Sequence, residues 1–532
     1  MKYPRKYCVL ILVAVVVAIG LRLPRLQQRP MHADEAVNAA KFGELLEKGL
    51  YTYDPNGYHG PTLNYLTLIP AWLGSDQKLS DLSEFTLRIV PVFFAVSLVL
   101  LLLLLADGFG GPTVVVAAVL TAISPAFVFY SRYYIHEMLL ICFTFGVIVC
   151  GYRYTQSKNI WWALLTGMFL ALCHTTKETC IIAFGSMLLA LLLTLLIRLR
   201  QGAPALSIKK MVKPRHAIAA VATAVIVSAL FYSSFLTNPD GILDSVRSYT
   251  TYFNRAYQNN LHIHPWYYYL KILIYSKVAG GPAWSEAFIV LLAGAGFIVA
   301  MMRKGIAGVN SHLLRFVAFY TLIMTVFYSA IPYKTPWCLL GFLHGMILLA
   351  AIGAVAVIKL MPNVLARVLI GLLLVVGGAH LAWQGYLGGY KYYADPINPY
   401  VYAHTSTDVV TIAQRVEQIA QVHHDGQNMY IQVICPEGDY WPLPWYLRSF
   451  GNVGWWNKVD ENIPAAPLII VSPSVEMALM RKLYELPLPG KKNLYVPLFD
   501  SYTELRPQVE LLGLVTKDLW DSYQQHQTQT DR

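Results

Sequence analysis

The residues best suited to chemistry lie near the start of the chain, in the stretch from Met31 to Pro61. It reads MHADEAVNAAKFGELLEKGLYTYDPNGYHGP and follows closely on the first apolar segment. His32, Asp34 and Glu35 open this stretch, and a carboxylate placed there can accept the proton of an attacking hydroxyl group. The plain alternative is that the two acids are solvated charge beside a membrane helix.

Local patterning favours a site over solvated charge. The acids begin an amphipathic helical pattern, which predicts that they are held near the surface of a bilayer. Its apolar side consists of Ala36, Ala39, Phe42, Leu46 and Leu50. A turn formed by Tyr58, His59, Gly60 and Pro61 then brings the chain back to the membrane.

Further polar motifs fall at the ends of apolar segments, on the same predicted side. They are SRYYIHE at 131–137, TTKET at 175–179 and PYKTPW at 332–337, and the outer loop 237–285 adds His262, His264 and the aromatic run from Trp266 to Tyr269. Cations such as Arg132 and Lys177 can stabilise a departing phosphate as charge develops on it. Aromatic faces can stack on sugar rings, so the set suits transfer from a lipid-linked phosphate.

Each motif also has a structural interpretation. Arg132 and Lys177 can extend to lipid headgroups, the aromatic run can be an interfacial belt, and Lys334 can mark a rigid turn between prolines. These interpretations explain Lys177 and Glu178 poorly, because their turn is too short to reach far into water. An ionisable pair at that depth is costly unless it faces a wet cavity or a charged ligand. For Lys177 a bound phosphate is the expected partner, with Glu178 as the alternative.

Composition places the chain among polytopic membrane proteins. Of its 532 residues, 56% are hydrophobic and only 13% are charged, values typical of many apolar helices with some soluble mass attached. The net charge of +11 does not indicate nucleic-acid binding, because much of the basic excess falls in short loops, where it sets topology. The seven cysteines are scattered without a CxxC pair, so we expect them to be packing residues.

Eleven segments are predicted to span the membrane, at about 20 residues per span. They are residues 8–22, 85–106, 112–130, 138–152, 160–174, 180–197, 217–236, 286–302, 316–331, 337–358 and 366–387. The first resembles a signal peptide without a clean cleavage site, so we interpret it as a retained signal anchor. Residues 62–74 are too short to cross and are expected to lie in the interface or to re-enter.

The distribution of Lys and Arg predicts the orientation. If the N-terminus is cytoplasmic, the short outer turns hold only Arg132, Lys177 and Lys334. The inner segments hold Arg153, Lys158, Arg198, Arg200, Lys209, Lys210, Lys213, Arg215, Arg303, Lys304, Arg315, Lys359 and Arg367. This bias predicts an odd number of crossings and an extracytoplasmic C-terminal region.

From about Tyr390 the composition becomes that of a soluble domain. Residues 407–422 and 475–483 have helical spacing, and 429–435 and 468–471 resemble buried strands. We therefore predict a transmembrane domain over 1–388, which includes the first outer loop 23–84, an extracytoplasmic α/β domain over 389–523, and a disordered tail over 524–532.

These motifs resemble the GT-C superfamily of membrane glycosyltransferases, which includes protein O-mannosyltransferases and aminoarabinose transferases. The resemblance rests on HADEA, SRYYIHE, TTKET and LRIVP at 87–91, in the expected order. With YHGP, HPWYYYL, PYKTPW, NPYVYAHTS and WPLPWYLR, the chain is most similar to a prokaryotic group labelled flippase-activity-associated. That likeness implies a multi-pass protein of a prokaryotic inner membrane with its active site on the outer face.

The resemblance also implies roles for residues. Asp34 is similar to the general base of the superfamily, with Glu35 beside it, and Glu137 matches the second acidic position. Arg132 and Lys177 match cations that meet the lipid phosphate. The further substrate or phosphate contacts that we predict are Lys334, His59, Tyr58, His264 and Trp266.

Two functions remain open from the sequence. The first is an inverting glycosyltransferase that moves a sugar from a polyprenyl-phosphate donor to a hydroxyl of a glycan, lipid or protein acceptor. The second is a non-catalytic flippase of lipid-linked glycans, or its accessory subunit. No cofactor is predicted; a divalent metal held by the His and carboxylate residues is the alternative, although no compact ligand spacing such as HExxH occurs. Ordinary secondary transport is disfavoured, since no internal repeat is found.

Overall fold

The protein is described from a computed structural model. The structure describes residues 4–202, 212–258, 262–302, 308–488, 492–500 and 503–530, and within these it describes no side chains for 252–258 or 530. Of the basic residues used to predict the orientation, Lys209, Lys210, Arg303 and Lys304 lie outside the described residues.

Helices dominate the chain. In order they are α1 Arg5–Arg22, α2 Ala33–Lys48, α3 Thr62–Gly74, α4 Glu84–Leu101, α5 Ala106–Phe109, α6 Gly111–Ile123, α7 Pro125–Tyr130, α8 Glu137–Ser157, α9 Ile160–His174, α10 Cys180–Arg200, α11 Pro214–Tyr232, α12 Gly241–Gln258, α13 Tyr268–Ile274, α14 Ala287–Met301, α15 Ser311–Ala330, α16 Leu340–Leu360, α17 Val364–Tyr386, α18 Asp408–Val422, α19 Leu443–Tyr446, α20 Glu476–Tyr484 and α21 Lys517–Thr530. Short 3₁₀ or π turns extend α4, α16 and α17.

Each of the eleven predicted spans is helical over most of its length, which confirms a polytopic helical protein. In the described part of the chain, seven helices are long and apolar enough to cross a membrane: Glu84–Phe109, Glu137–Ser157, Cys180–Arg200, Pro214–Tyr232, Ser311–Ala330, Pro336–Leu360 and Val364–Lys391. Three more, α6, α9 and α14, are apolar but shorter, and α1 has 18 residues. The number of crossings stays a prediction.

The predicted span 112–130 is broken in the structure. Helix α6 ends at Ile123 and α7 begins at Pro125. Proline lacks the N–H that would continue the helix, and it disfavours the helical conformation for the residue before it. Ser124 accordingly has φ −55° and ψ 124°.

The chain forms two compact units. The first, called the helical unit here, comprises residues 1–26, 48–75 and 85–402. Its core is built where α14 packs on α16, α9 on α8 and α11, and α10 on α15. Small residues let backbones approach closely there: a Cβ on Gly296 or Gly353 would overlap carbonyl oxygens of the facing helix.

The second unit, called the mixed unit here, contains the predicted α/β fold. Its five-stranded sheet has the order β2-β1-β3-β7-β4, with β1 and its two neighbours parallel and β7 antiparallel to both of its neighbours. The strands are β1 Ile431–Ile434, β2 Val453–Trp456, β3 Leu468–Val471, β4 Tyr495–Pro497 and β7 Leu512–Thr516, and β5 Glu504–Arg506 pairs with β6 Val509–Glu510. The strands β1 and β3 are fully buried, as their apolar sequences predict.

The mixed unit also includes two pieces of the first outer loop. It comprises residues 27–47, 76–84 and 403–532, so it does not follow the predicted division at 388/389. Hydrogen bonds explain why. The Met31 N–H donates to the Tyr446 hydroxyl at 2.8 Å, the Thr405 hydroxyl donates to the Met31 carbonyl at 2.6 Å, and the Trp445 indole donates to Glu84 at 2.9 Å.

The predicted disordered tail is instead largely helical. Helix α21 continues through Gln524 to Thr530. Its first turns are stabilised by an ion pair between Lys517 and Asp521 and by a 3.0 Å hydrogen bond from Tyr523 to Gln418 of α18. Once these turns form, each further residue adds a backbone hydrogen bond at little cost, even where its side chain is polar.

Candidate functional site

The TTKET turn of the helical unit is fixed by the YHGP segment of the first outer loop. The Thr62 N–H donates to the Thr175 carbonyl at 3.1 Å, and the Thr62 hydroxyl lies 2.7 Å from the Thr175 hydroxyl. Gly60 allows this approach, because a Cβ there would overlap the same carbonyl oxygen. Two motifs more than a hundred residues apart therefore form one surface.

Lys177 in this turn forms an ion pair with Glu137. Its ammonium group donates to Glu137 Oε1, and both side chains are less than a tenth exposed. Glu137 is the first residue of α8, where the positive end of the helix dipole also favours a carboxylate. Sequence reasoning expected phosphate as the partner of Lys177, whereas the structure supplies a protein carboxylate.

Glu178 faces a different partner. Its carboxylate accepts hydrogen bonds from His59 Nδ1 at 2.8 Å and from the Tyr53 hydroxyl at 3.2 Å. Burial alone would raise the pKa of Glu178, but the charge and hydrogen bond of His59, together with Lys177, lower it below the ordinary value of 4.5. The pKa of Tyr53 is raised by burial and by Glu178, so this phenol stays a donor at neutral pH.

His136 completes this group, which we call the turn cluster: Tyr53, His59, His136, Glu137, Lys177 and Glu178. The rings of His59 and His136 meet edge to face, with centroids 5.2 Å apart. Burial lowers the pKa of His136 well below its usual 6.5, and the nearby His59 and Lys177 lower it further. His136 is therefore neutral at pH 7. Tyr53 and His136 were missed as site residues. The position of His136 beside Glu137 was the available signal, whereas the contact of Tyr53 with Glu178 arises only from the fold.

The predicted base lies in the mixed unit. Asp34 is in the first turn of α2 and its side chain is 55% exposed, with His32 Nδ1 3.9 Å from its carboxylate. Glu35 is buried: it accepts from Arg29 at 2.9 Å and from the His32 N–H at 3.0 Å. The two adjacent acids thus differ in role, because Glu35 anchors the start of the helix and Asp34 faces outward.

Arg132 is engaged with backbone in the helical unit. Its guanidinium donates to the carbonyl oxygens of Arg22, Pro24 and Arg25 at 2.6, 2.8 and 2.9 Å, and it lies 4.6 Å from the centre of the Tyr390 ring. These contacts hold the chain where it leaves α1. Phosphate binding by Arg132, which stays a prediction, would require it to exchange some of these acceptors.

Of the remaining predicted contacts, Lys334 and His264 lie together in the helical unit. The Lys334 ammonium donates to the carbonyls of His264 and Ile331, and burial lowers its pKa. His264 lies 3.1 Å from the Tyr402 hydroxyl and stacks on Tyr268. Trp266 is 65% exposed. Tyr58, also predicted, is half-buried in a turn closed by a hydrogen bond from its N–H to the Asp54 carbonyl at 3.1 Å.

Side chains suited to holding a metal ion are found together in the mixed unit. Among the residues that the structure describes, the one group of three or more ligand side chains with suitable spacing is His423, His424 and Asp425, after α18 of the mixed unit. The seven cysteines are all unpaired and mostly buried, as expected of packing residues.

Comparison with known proteins gives one match to a family and several to solved structures. Residues 65–237 match the model of the family described as dolichyl-phosphate-mannose-protein mannosyltransferase. This range includes SRYYIHE and TTKET, the two motifs that supply Glu137, Lys177 and Glu178. No match is found among curated protein sequences.

The solved structures most informative here are two glycosyltransferases. ArnT from Cupriavidus metallidurans in the apo state has a TM-score of 0.61 and 14% identity, over 95% of this chain and 97% of that one. The same protein bound to undecaprenyl phosphate gives a TM-score of 0.58. The archaeal oligosaccharyltransferase AglB from Archaeoglobus fulgidus, in complex with an inhibitory peptide and a dolichol-phosphate, gives 0.54 and 12% identity, over 88% and 70%. The chain therefore has the fold of the GT-C membrane glycosyltransferases.

Proposed function

We propose that this protein is an inverting glycosyltransferase of the prokaryotic inner membrane, which moves a sugar from a polyprenyl-phosphate donor to an acceptor hydroxyl on the outer face. The turn cluster is the observation that carries the proposal. It keeps two carboxylates, an ammonium and two imidazoles at the ends of apolar helices, where ionisable groups are costly, pair with one another and mark the sites of charged ligands. ArnT, whose fold is similar, has been solved with undecaprenyl phosphate.

The donor phosphate is assigned to Lys177. A phosphate oxygen would replace Glu137 as the acceptor of its charge-assisted hydrogen bond, and the cation would stabilise the phosphate as the glycosidic bond breaks. Polyprenyl phosphate leaves with the electron pair of that bond. Glu178 keeps His59 oriented through the 2.8 Å contact, so His59 is a positioned second donor to phosphate.

The acceptor proton is assigned to Asp34. The acceptor oxygen attacks the anomeric carbon of the sugar from the face opposite the phosphate, and its proton passes to the Asp34 carboxylate. The exposure of Asp34 supports this role, since a base must reach its substrate. Glu35 already accepts hydrogen bonds from Arg29 and from backbone, so we assign it the role of positioning the start of the helix that carries Asp34.

The test is release of polyprenyl phosphate from a labelled polyprenyl-phosphate sugar by purified protein in detergent. Asp34→Asn should lower turnover by ~10²–10⁴-fold, the usual contribution of general-base catalysis, with donor binding retained. Glu44→Gln is the matched control, because Glu44 lies in the same helix and is 50% exposed; it should turn over like the wild type. Wild-type turnover in Asp34→Asn would remove this residue from the role of base. Donor binding without turnover by the wild type would instead favour the flippase function.

A further inference from the structure

Helix α12 is amphipathic, but its apolar side faces outward and its polar side faces the protein, which is the reverse of a surface helix in a water-soluble protein. Its apolar residues Leu243 and Val246 are 60% and 66% exposed, whereas the hydroxyl residues Ser245 and Ser248 are 4% and 1% exposed. In water such a helix would bury its apolar side. The inverted pattern means that the outward side of α12 faces an apolar medium.

The inner side of α12 covers the turn cluster. The Ser248 hydroxyl donates to the Ser245 carbonyl at 2.8 Å and lies near the Tyr53 hydroxyl, which donates to Glu178 at 3.2 Å. The Tyr249 hydroxyl lies 3.7 Å from Cys180 Sγ, and its ring stacks on His174 with the two planes 6° apart. The first turns of α12 therefore place Ser248 and Tyr249 on the side of the turn cluster that holds Tyr53 and Glu178.

The outward side of α12 continues a surface that faces lipid. Helix α11, which precedes it, is a candidate span whose most apolar window is only 6% buried, so one side packs on α9 and the rest of the helix is left open to the bilayer. Phe235 and Leu236 in the connection are 53% and 73% exposed, which extends the apolar surface from α11 to α12.

The connection itself fixes this arrangement. Ser234, Phe235 and Leu236 all have left-handed backbone conformations, with φ of 51°, 54° and 74°, which non-glycine residues rarely adopt. The Ser234 hydroxyl donates to the Tyr51 carbonyl, and the Leu236 N–H donates to the Ser233 hydroxyl at 3.1 Å. These bonds hold a tight turn that places α12 directly after the span.

We propose that α12 lies in the membrane–water interface, with Leu243 and Val246 among the acyl chains, and that it thereby seals the Glu178 side of the turn cluster against lipid. The occupant of its apolar side is the bilayer itself. An interfacial helix of this kind is stabilised by the apolar area that it buries in the headgroup and acyl boundary. This inference does not depend on whether the protein turns over a glycosyl donor.

The position of α12 can be tested by the accessibility of spin labels. Nitroxides are placed at Leu243 or Val246 of the full-length protein, with other cysteines replaced, in phosphatidylcholine and phosphatidylglycerol vesicles. We expect both labels to collide more readily with oxygen than with a water-soluble nickel chelate. A label at Met477, which is 88% exposed in the mixed unit, is the control and should show the reverse. Chelate-dominated collisions at Leu243 and Val246 would overturn the proposal.

Sealing can be tested through Cys180, which is buried under Tyr249. The test uses a protein with Cys180 as its single cysteine. In it, Val246→Glu should withdraw α12 from lipid and raise the rate at which a water-soluble maleimide labels Cys180 by about tenfold. That change in rate corresponds to about 1.4 kcal/mol in the free energy of opening. Arg247→Gln is the matched control, because Arg247 is adjacent and its side chain is 70% exposed. Equal rates in the two variants, with unchanged melting temperatures, would refute the sealing role.

Discussion

Replacing Lys177 by methionine tests whether its ion pair with Glu137 stabilises the protein. Both side chains are less than a tenth exposed, so the change leaves a buried carboxylate without its cation. Breaking such a pair typically costs 3–5 kcal/mol, whereas replacing both partners is often neutral. We expect Lys177→Met to lower the free energy of unfolding by about 3–5 kcal/mol, and Glu137→Gln/Lys177→Met to recover most of the loss.

The measurement is the unfolding transition of purified protein in detergent, followed by tryptophan fluorescence. Lys271→Met is the matched control, since Lys271 is an exposed lysine of the same unit, and it should unfold like the wild type. Wild-type stability in Lys177→Met, or a double variant no more stable than the single one, would refute the reasoning from burial.

The double variant also separates the two assignments of Lys177. If the lysine holds the donor phosphate, the stable double variant should still bind polyprenyl phosphate more weakly by ~1.5–3 kcal/mol, the scale of a hydrogen bond to a charged group. Restored stability with unchanged lipid affinity would make Lys177 a structural residue only.

Three further predictions concern the same region and the topology. Gly60→Ala should destabilise the protein by about 1–3 kcal/mol in the same unfolding assay, because the added Cβ would overlap the Thr175 carbonyl. Wild-type stability of this variant would mean that the segment around Gly60 can shift. Glu178 has a lowered pKa, so its stabilising contribution is present above pH 4.5 and is lost as the pH falls through the lower pKa of the folded protein. The melting temperatures of the wild type and of Glu178→Gln should therefore converge below pH 4.5. A difference in melting temperature that stays constant with pH would contradict this. In cells with an intact inner membrane and a cysteine-free background, Gln201→Cys should be shielded from an impermeant thiol reagent and Gln427→Cys should react; equal labelling would overturn the predicted orientation.

Individual helices could be predicted from the sequence because each needs only local information. The apolar run at 160–174 coincides with α9, and the LIIV segment coincides with β3. Proline also acts locally, so the break at Pro125 was open to prediction from its own effect on Ser124 and was overlooked in favour of continuous hydropathy.

The pairing of charged residues could not be predicted in the same way. Lys177 and Glu178 are adjacent, yet their partners, Glu137 and His59, are 40 and 119 residues away. Which partner each one meets depends on how three separate segments pack. The short distance that makes Glu137 a partner of Lys177 arises only from the tertiary structure.

The mixed unit is built from segments that lie far apart in the chain, and this has a consequence for biosynthesis. Its α2 segment, with Asp34, is made early, but the Thr405 and Tyr446 side chains that bind Met31 lie 374 and 415 residues later. At a synthesis rate of about 5–20 residues per second, the wait is roughly 20–80 s. During that time the helix that carries the proposed base has none of these contacts, and in the predicted orientation it is open to extracytoplasmic proteases. Early termination of translation should therefore yield a protein whose membrane helices are in place but whose first outer loop is cut.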